Sequence, residues 1–329
     1  MKTQETIPIF IFSLPRAGST LLQRVLAVHD QISTVAEPWI LLPFVYAQRD
    51  FGVYSEYIHA SSSKAINDIV AQLPNGSIDY FKSIRKMALS IYNDLNKGNA
   101  KYFLDKTPRY YLIIEEISKI FPEAKFIFLF RSPLANLASM IQTFHGGRLG
   151  DYRHSIDIFQ GPVLLAEGFK RFNRPAYKVN YENLIQNPKA TIKSVCKFLE
   201  IPFFDEMLSG FHHVKFSGKM GDSTGIKQYN SIEKEPLVKW VEVFRTKYRK
   251  SYAKKYLDYL GRDCIHVFGY DRENLINELD KIDTVNNFGF VDRYNNFKCF
   301  LYSLLEVPII KLKMRNILSS NQQRQFISY

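Results

Sequence analysis

Residues 9–30 read IFIFSLPRAGSTLLQRVLAVHD, and this stretch limits the possible folds more than any other. Four apolar residues run into a Ser-Leu-Pro-Arg-Ala-Gly-Ser-Thr turn, and a helical pattern follows. A strand that ends in a tight turn and opens a helix leaves the first N–H groups of that helix without intrahelical partners. They converge on one spot, with the positive end of the helix dipole behind them. Gly18 lets the backbone approach a ligand closely, Ser19 and Thr20 carry hydroxyl donors, and Arg16 adds a permanent cation with a fork of donors. The loop from Pro15 through Ala17 to Thr20 therefore has the parts of an anion cradle. Taken alone, it also fits an ordinary strand–helix turn in which Pro15 and Gly18 are only punctuation.

The Walker A pattern builds a similar cradle, but here its Lys falls on Ser19 and its first Gly on Ser13, so neither matches. That counts against magnesium-dependent hydrolysis of ATP or GTP. A second cluster supports the cradle reading. In KFIFLFRSPLANLASM, residues 125–140, an apolar strand ends at Arg131, Ser132 suits an N-cap, Pro133 suits the first helical position, and Ser139 follows eight residues after Arg131. Two strand-to-helix junctions at the carboxyl edge of one sheet would form two anion pockets on the edge where open α/β sheets bind ligands. A ligand with two separated phosphates fits that layout.

The rest of the chain fits the same architecture. Its 329 residues are 46% apolar and 15% aromatic, which places it with globular proteins and allows a sizeable core. Apolar runs at 7–13, 32–36, 102–105, 125–130 and 176–180 read as strands. Helical patterns occupy 18–29, 63–73, 78–95, 110–120, 133–144, 161–172, 188–199 and 235–258. This alternation predicts an α/β fold with a mostly parallel β-sheet flanked by helices. Residues 204–234 read as a loop. We expect one domain over residues 1–275 and a basic, partly helical C-terminal extension over 276–329. From Asp292 onward six Lys or Arg stand against two acidic residues. That segment suits a helix packed on the domain, a dimer contact, or a basic amphipathic helix at a membrane surface.

The net charge of +12 favours anionic partners without choosing among them. The three cysteines, Cys196, Cys264 and Cys299, are scattered and lack metal-ligand spacing, which fits a reducing compartment. No apolar run reaches the ~18 residues of a spanning helix, and no secretory signal is visible. The expectation is a cytoplasmic protein, with peripheral contact at the inner membrane face as a further option.

The two phosphate motifs together resemble those of the sulfotransferases that use 3′-phosphoadenosine 5′-phosphosulfate (PAPS) as donor. SLPRAGSTLL resembles their 5′-phosphosulfate loop in its Pro-Arg-x-Gly-[ST]-[ST] form, and Arg131 with Ser139 resembles their 3′-phosphate motif. The likeness runs over roughly residues 7–260 and is nearest to the branch containing tyrosylprotein and many bacterial sulfotransferases. It implies a P-loop-like fold, PAPS as co-substrate, adenosine 3′,5′-bisphosphate (PAP) as product, and no metal. By the same resemblance Glu37, 21 residues after Arg16, is the base. Lys106 of a Lys-x-Pro motif neutralises the leaving group, and Tyr181 of Tyr-Glu-x-Leu lies near the nucleotide. Lys219, Lys227 and Ser231 belong to a segment resembling one that closes over the donor. The Lys loop, His base and C-terminal Arg-Lys-Gly clamp of the small-molecule cytosolic branch are not found here, so acceptor residues do not carry over from that branch.

Sulfuryl transfer resembles phosphoryl transfer, in which positioning and charge stabilisation do most of the catalysis. Arg16 and Lys106 would supply cations at the departing oxygen, and Glu37 would take the proton of the acceptor hydroxyl. The blander readings are a salt-bridge role for Glu37, a surface position for Lys106, a core position for Tyr181, and solvated loop positions for His145 and His154, which are otherwise alternative bases. We expect a transferase of the EC 2.8.2 class acting on a hydroxyl of a carbohydrate or lipid-linked sugar. The rivals are a P-loop kinase or NTPase, a non-catalytic PAPS or PAP binder, and a nucleic-acid binder, for which only the net charge speaks.

Overall fold

The computed structural model describes residues 6–96, 98, 100–150, 154–216, 237–285 and 289–305. Five strands form one parallel sheet in the order β2-β3-β1-β4-β5. They are β1 (Ile7–Ser13), β2 (Ile32–Thr34), β3 (Tyr102–Asp105), β4 (Lys125–Phe130) and β5 (Ala176–Asn180). Four match the sequence reading residue for residue. β2 stops two residues earlier, because Thr34 turns its hydroxyl onto Leu104 O at 2.6 Å and the chain leaves the ladder there.

The composition of the two central strands explains the layering. IPIFIFS and KFIFLF alternate Phe with Ile or Leu, so the pleat sends the aromatic set to one face and the aliphatic set to the other. Phe10, Phe12, Phe126, Phe128 and Phe130 lie in one buried cluster, and Ile9, Ile11, Ile127 and Leu129 lie in a second on the opposite face. The register places Phe10 beside Phe126 and Phe12 beside Phe128. Phe172 meets Phe126 edge-on at 4.9 Å and Phe128 at 5.1 Å, closing the aromatic layer.

Helices cover both faces. Early in the chain these are α1 (Ser19–Leu26), α2 (Leu41–Tyr46), α3 (His59–Gln72), α4 (Ser77–Leu95), α5 (Ile114–Ile120) and α6 (Pro133–His145). Then follow α7 (Gly161–Arg171), α8 (Tyr181–Gln186), α9 (Pro188–Leu199), α10 (Glu206–Ser209), α11 (Trp240–Val243), α12 (Lys247–Phe268), α13 (Arg272–Lys281) and α14 (Phe290–Leu304). α1, α8 and α9 supply the aliphatic layer, while α4, α5, α7, α12 and α13 pack on the aromatic side.

Several helical spans differ from their sequence patterns: α1 ends at Leu26 rather than residue 29, and α3 begins at His59 rather than residue 63. Residues 110–120 divide into a 3₁₀ turn (Pro108–Leu112) and α5, because Ile113 leaves helical geometry between them. The pattern over 235–258 contains α11 and the start of α12, separated by Thr246, which caps α12 from its side chain. Within the stretch read as loop, 206–209 and 211–213 form short helical turns. α13 carries its own N-cap, with Asp271 accepting from Asn274 N.

The topology positions the site. β1 has β3 on one side and β4 on the other, and all three point the same way. Their carboxyl ends therefore lie side by side about 4.8 Å apart. Three junctions converge there: residues 14–18 after β1, Lys106 after β3 and Arg131 after β4.

Candidate active site

The β1–α1 loop is held in an unusual backbone conformation. Arg16 has φ of 65° and Gly18 of 97°. Gly18 occupies the N-cap position of α1, where no side chain accepts the first helical N–H groups, so those donors face the loop's concavity. A Cβ on Gly18 would meet Tyr181 Cδ2 and Cε2 at 2.3 Å, so the tyrosine ring lies directly against the loop backbone. Glycine is required here both by its φ and by that contact.

The same loop is tied to the β4–α6 junction from the other side. Register pairs Ser13 with Leu129, so Arg131, two residues on, reaches the level of the loop. Arg131 Nη1 donates to Arg16 O at 2.8 Å, and its guanidinium stacks over the Tyr181 ring at 4.5 Å. Asn136 Nδ2 donates to Pro15 O at 2.9 Å from a nearly buried position on α6. Ser132 caps α6 by accepting from Ala135 N, with Pro133 at the first turn, as the sequence suggested. Glu182 on α8 accepts from Ser132 N at 3.0 Å. Pro15, Arg16, Ala17, Gly18, Arg131 and Tyr181 thus form one connected unit. Ser139 is partly exposed on α6, about 10 Å along the helix from Ser132 at 1.5 Å per residue.

A second unit lies toward β3. Lys106 follows that strand, only 1% exposed, and its Nζ donates to Glu37 Oε1 at 2.7 Å and to Thr20 Oγ1 at 3.4 Å. It bridges the segment after β2 and the first turn of α1. The other Glu37 oxygen, Oε2, accepts from Trp39 Nε1 at 3.1 Å. Trp39 itself has φ of 59°, and its backbone N–H donates to Thr107 Oγ1. The approach to Glu37 is fixed by Gln23 on α1, whose amide donates to Thr34 Oγ1 and Val35 O, each at 2.8 Å.

Beneath Lys106, Asp105 is fully buried and accepts from Tyr92 OH at 2.6 Å, Tyr110 OH at 2.9 Å and Thr107 Oγ1 at 3.0 Å. Burial pushes its carboxyl up to about 6, against the opposing pull of those donors and of Lys106. On the outer side, Arg109 lies 6.0 Å from the Trp39 ring and is held in a two-pronged pair with buried Asp157, at 3.1 and 2.7 Å; Tyr111 OH also donates to that carboxylate.

The structure therefore brings Glu37, Lys106 and Thr20 into contact, and the salt-bridge reading of Glu37 is realised, with Lys106 as the partner. Lys106 is a buried lysine rather than a surface one. His145 and His154 stand at the end of α6 and just beyond it, and the His154 ring stacks on Phe144 at 4.2 Å. Lys219, Lys227 and Ser231 lie outside the described residues. Sequence reasoning missed Gln23, Trp39, Arg109, Asn136, Asp157 and Glu182. For Asn136 a signal existed, since it lies three residues before Ser139 on one helix face. For Trp39 none did, because its contact depends on an unusual local turn.

Among the described residues, no group of His, Cys, Asp and Glu is arranged to hold a metal ion, and no helix is long and apolar enough to cross a membrane.

A strand–loop–helix cradle, a second arginine at the adjacent strand end and a Lys–Glu pair in contact with the first turn of α1 thus gather at the carboxyl edge of the sheet. Residues 8–206 match the sequence profile of the sulfotransferase family, and the chain belongs to that family. It is similar to the nodulation protein NoeE of Sinorhizobium fredii, 24% identical over 307 residues that cover 86% of this chain and 69% of that protein. It is also similar to protein-tyrosine sulfotransferase 1 of Danio rerio, 26% identical over 246 residues, 71% of this chain and 65% of that one. The chain thus spans about two thirds of the length of these relatives. Among solved structures, the sulfotransferase domain from the curacin biosynthetic pathway superposes with a TM-score of 0.50 at 22% identity, over 72% of this chain and 91% of that domain, a likeness of fold.

Proposed function

We propose that this protein transfers a sulfuryl group from PAPS to a hydroxyl on a carbohydrate or lipid-linked sugar. The observation that carries the reading is the position of Lys106, in contact with Thr20 of the cradle and with Glu37. One ammonium thereby joins a donor side to an acceptor side.

On the donor side, the N–H groups and hydroxyls of residues 15–20 hold the 5′-phosphosulfate, with Arg16 as the cation beside it. Arg131 and Ser139 take the 3′-phosphate, and Tyr181 lies along the nucleotide. The fit is supported by the bare Gly18 backbone and by the guanidinium lying over Tyr181. On the acceptor side, Glu37 takes the proton from the attacking hydroxyl. The acceptor oxygen forms the new bond to sulfur while the bond from sulfur to the phosphate oxygen breaks, and the electron pair stays on that oxygen. Lys106 turns from Glu37 Oε1 toward the oxygen where charge develops, which frees the carboxylate for the proton. The Trp39 indole beside Glu37 offers an aromatic surface suited to a sugar ring, with the Arg109 guanidinium, anchored on Asp157, 6.0 Å from it.

The likeness to a protein-tyrosine sulfotransferase favours a second reading, in which the hydroxyl belongs to a tyrosine of a protein.

Calorimetric titration with PAP in EDTA, beside ADP and ATP, tests the donor half. Tight binding that needs the 3′-phosphate and no metal is expected. Equal binding of ADP, or none of PAP, would sink the donor assignment and revive a kinase or other phosphate-binding reading. Turnover of PAPS against a panel of sugars, lipid-linked sugars and tyrosine peptides then decides the acceptor.

A further inference from the structure

α14 is amphipathic, but it faces the wrong way for a helix that belongs to a core. Its polar side is turned toward the domain. Asp292 is buried and accepts from Arg249 Nε and Nη2 at 2.7 and 3.0 Å and from Leu149 N at 3.1 Å. Asn296 Nδ2 donates to Tyr248 OH at 2.9 Å. A Cβ on Gly150 would meet Asn295 backbone atoms at 2.9 Å, so the preceding loop also packs closely on this side. The opposite side carries Tyr294, Phe297, Phe300 and Leu304, exposed by 65%, 59%, 63% and 68%. Their spacing of three and four residues makes one contiguous apolar face. Anchored by hydrogen bonds and an ion pair, the helix presents that face outward.

Three occupants could cover it: a second copy, the following residues 306–329, or a bilayer. Charge decides among them. Asp292 is the acidic residue of α14 and is consumed by Arg249, which leaves Arg293 and Lys298 exposed among the apolar residues. Residues 306–329 add four Lys or Arg and one Glu. A second copy, or the chain's own end, would bring cations against cations, whereas an anionic lipid surface offers the opposite sign. Fifteen residues rise only about 22 Å, short of the ~30 Å hydrocarbon core, so the helix lies in the interface rather than spanning it.

We propose that α14 docks this protein onto an anionic membrane surface, with Tyr294, Phe297, Phe300 and Leu304 entering the interface and Arg293 and Lys298 against lipid phosphates. The inference is independent of the acceptor and of the assignment of donor residues.

Co-sedimentation of the full chain with vesicles of phosphatidylcholine, alone or mixed with phosphatidylglycerol, tests it. Binding to the mixed vesicles is expected, weakened by salt, and stronger than binding to phosphatidylcholine alone by roughly fivefold per cation near the surface. Phe297→Glu with Phe300→Glu removes that binding at least tenfold. PAP affinity and the circular dichroism spectrum stay unchanged, since both side chains are already exposed. Lys298→Glu weakens only the anionic component. Failure to bind mixed vesicles overturns the proposal, as does equal binding to both vesicle types. A dimer seen by light scattering that the double variant dissolves would assign the face to a second copy instead.

Discussion

The donor and acceptor halves of the proposed site are built by different means. The donor half is made largely of backbone: the residue 14–18 loop, the start of α1, and a guanidinium that clasps a loop carbonyl from the adjacent strand end. Sheet topology alone brings these parts together, because β1 and β4 are hydrogen-bonded neighbours. The acceptor half is made of side chains carried by irregular segments: Thr107 accepts from Trp39 N, Trp39 donates to Glu37, and Gln23 holds Thr34 and Val35 on the approach to Glu37. On the proposed reading, acceptor preference would be set by this cluster of side chains on loops, apart from the backbone that holds the donor.

If that division holds, substitutions in the two halves should separate binding from turnover. The largest effect is expected from Glu37→Gln, which removes the proposed base and keeps an acceptor for Lys106. General-base work is worth about 10²–10⁴-fold. Steady-state turnover should fall by that range while PAP affinity measured by calorimetry stays within a few-fold. Near-normal turnover would show that Glu37 serves only as the counter-ion of Lys106.

Asp105 offers a different way to separate the halves, because the acceptor half stands on a buried carboxyl. Its carboxyl is raised from the ordinary 3.8 to about 6 by burial. Between those values the unfolded chain gives up a proton that the folded protein keeps. The stabilisation is therefore complete below pH 4 and is lost as the pH rises through 6. The span corresponds to roughly 3 kcal/mol at 1.36 kcal/mol per unit. Denaturant unfolding of wild type and Asp105→Asn, compared at pH 4 and pH 7, should show the variant gaining on wild type by an amount of that order as the pH rises. A pH-independent difference would mean that Asp105 is ionised throughout and held by its three hydroxyl donors.

Arg131→Ala addresses the donor half. Loss of a charge-assisted contact costs about 1.5–3 kcal/mol, or roughly 10- to 150-fold in PAP affinity. ADP, which lacks the 3′-phosphate, should be affected far less. Equal losses for both nucleotides would indicate that Arg131 acts only by clasping Arg16 O and shaping the loop.

The legibility of the sequence follows the same division. The two strand–turn–helix junctions could be read in advance because each lies at a strand end next to a helix start, where local chemistry is constrained: Pro-Arg-x-Gly after β1, Arg-Ser-Pro after β4. The strands were readable because uninterrupted apolar runs such as KFIFLF suit a sheet covered on both faces. What escaped was long-range or conformationally irregular. The Asp157 partnership with Arg109 spans 48 residues and begins from a π-helical turn, Ile156–Gln160, that no periodicity announces. The outward-facing apolar side of α14 could not be told from an inward one by spacing alone, because long-range contacts, the buried Asp292–Arg249 pair and Asn296 on Tyr248, fix which side faces the domain.

Trp39 gives the finest test of the acceptor half. Its indole N–H holds the Glu37 oxygen that Lys106 does not, at 3.1 Å, and it does so from a backbone conformation uncommon for a bulky residue. Persistence of that conformation requires support, which the Trp39 N–H contact to Thr107 provides. Trp39→Phe keeps an aromatic ring and removes the donor. A single hydrogen bond to a charged group contributes about 1.5–3 kcal/mol when buried, and less at a partly exposed position such as this. The expected loss is therefore only a few-fold to tenfold in kcat, with PAP affinity unchanged. Trp39→Leu, which also removes the aromatic face, should raise KM for a sugar acceptor beyond the effect of Phe. A Phe variant with full kcat but raised KM would show that the residue contacts the acceptor and leaves the carboxylate's orientation to Lys106 alone.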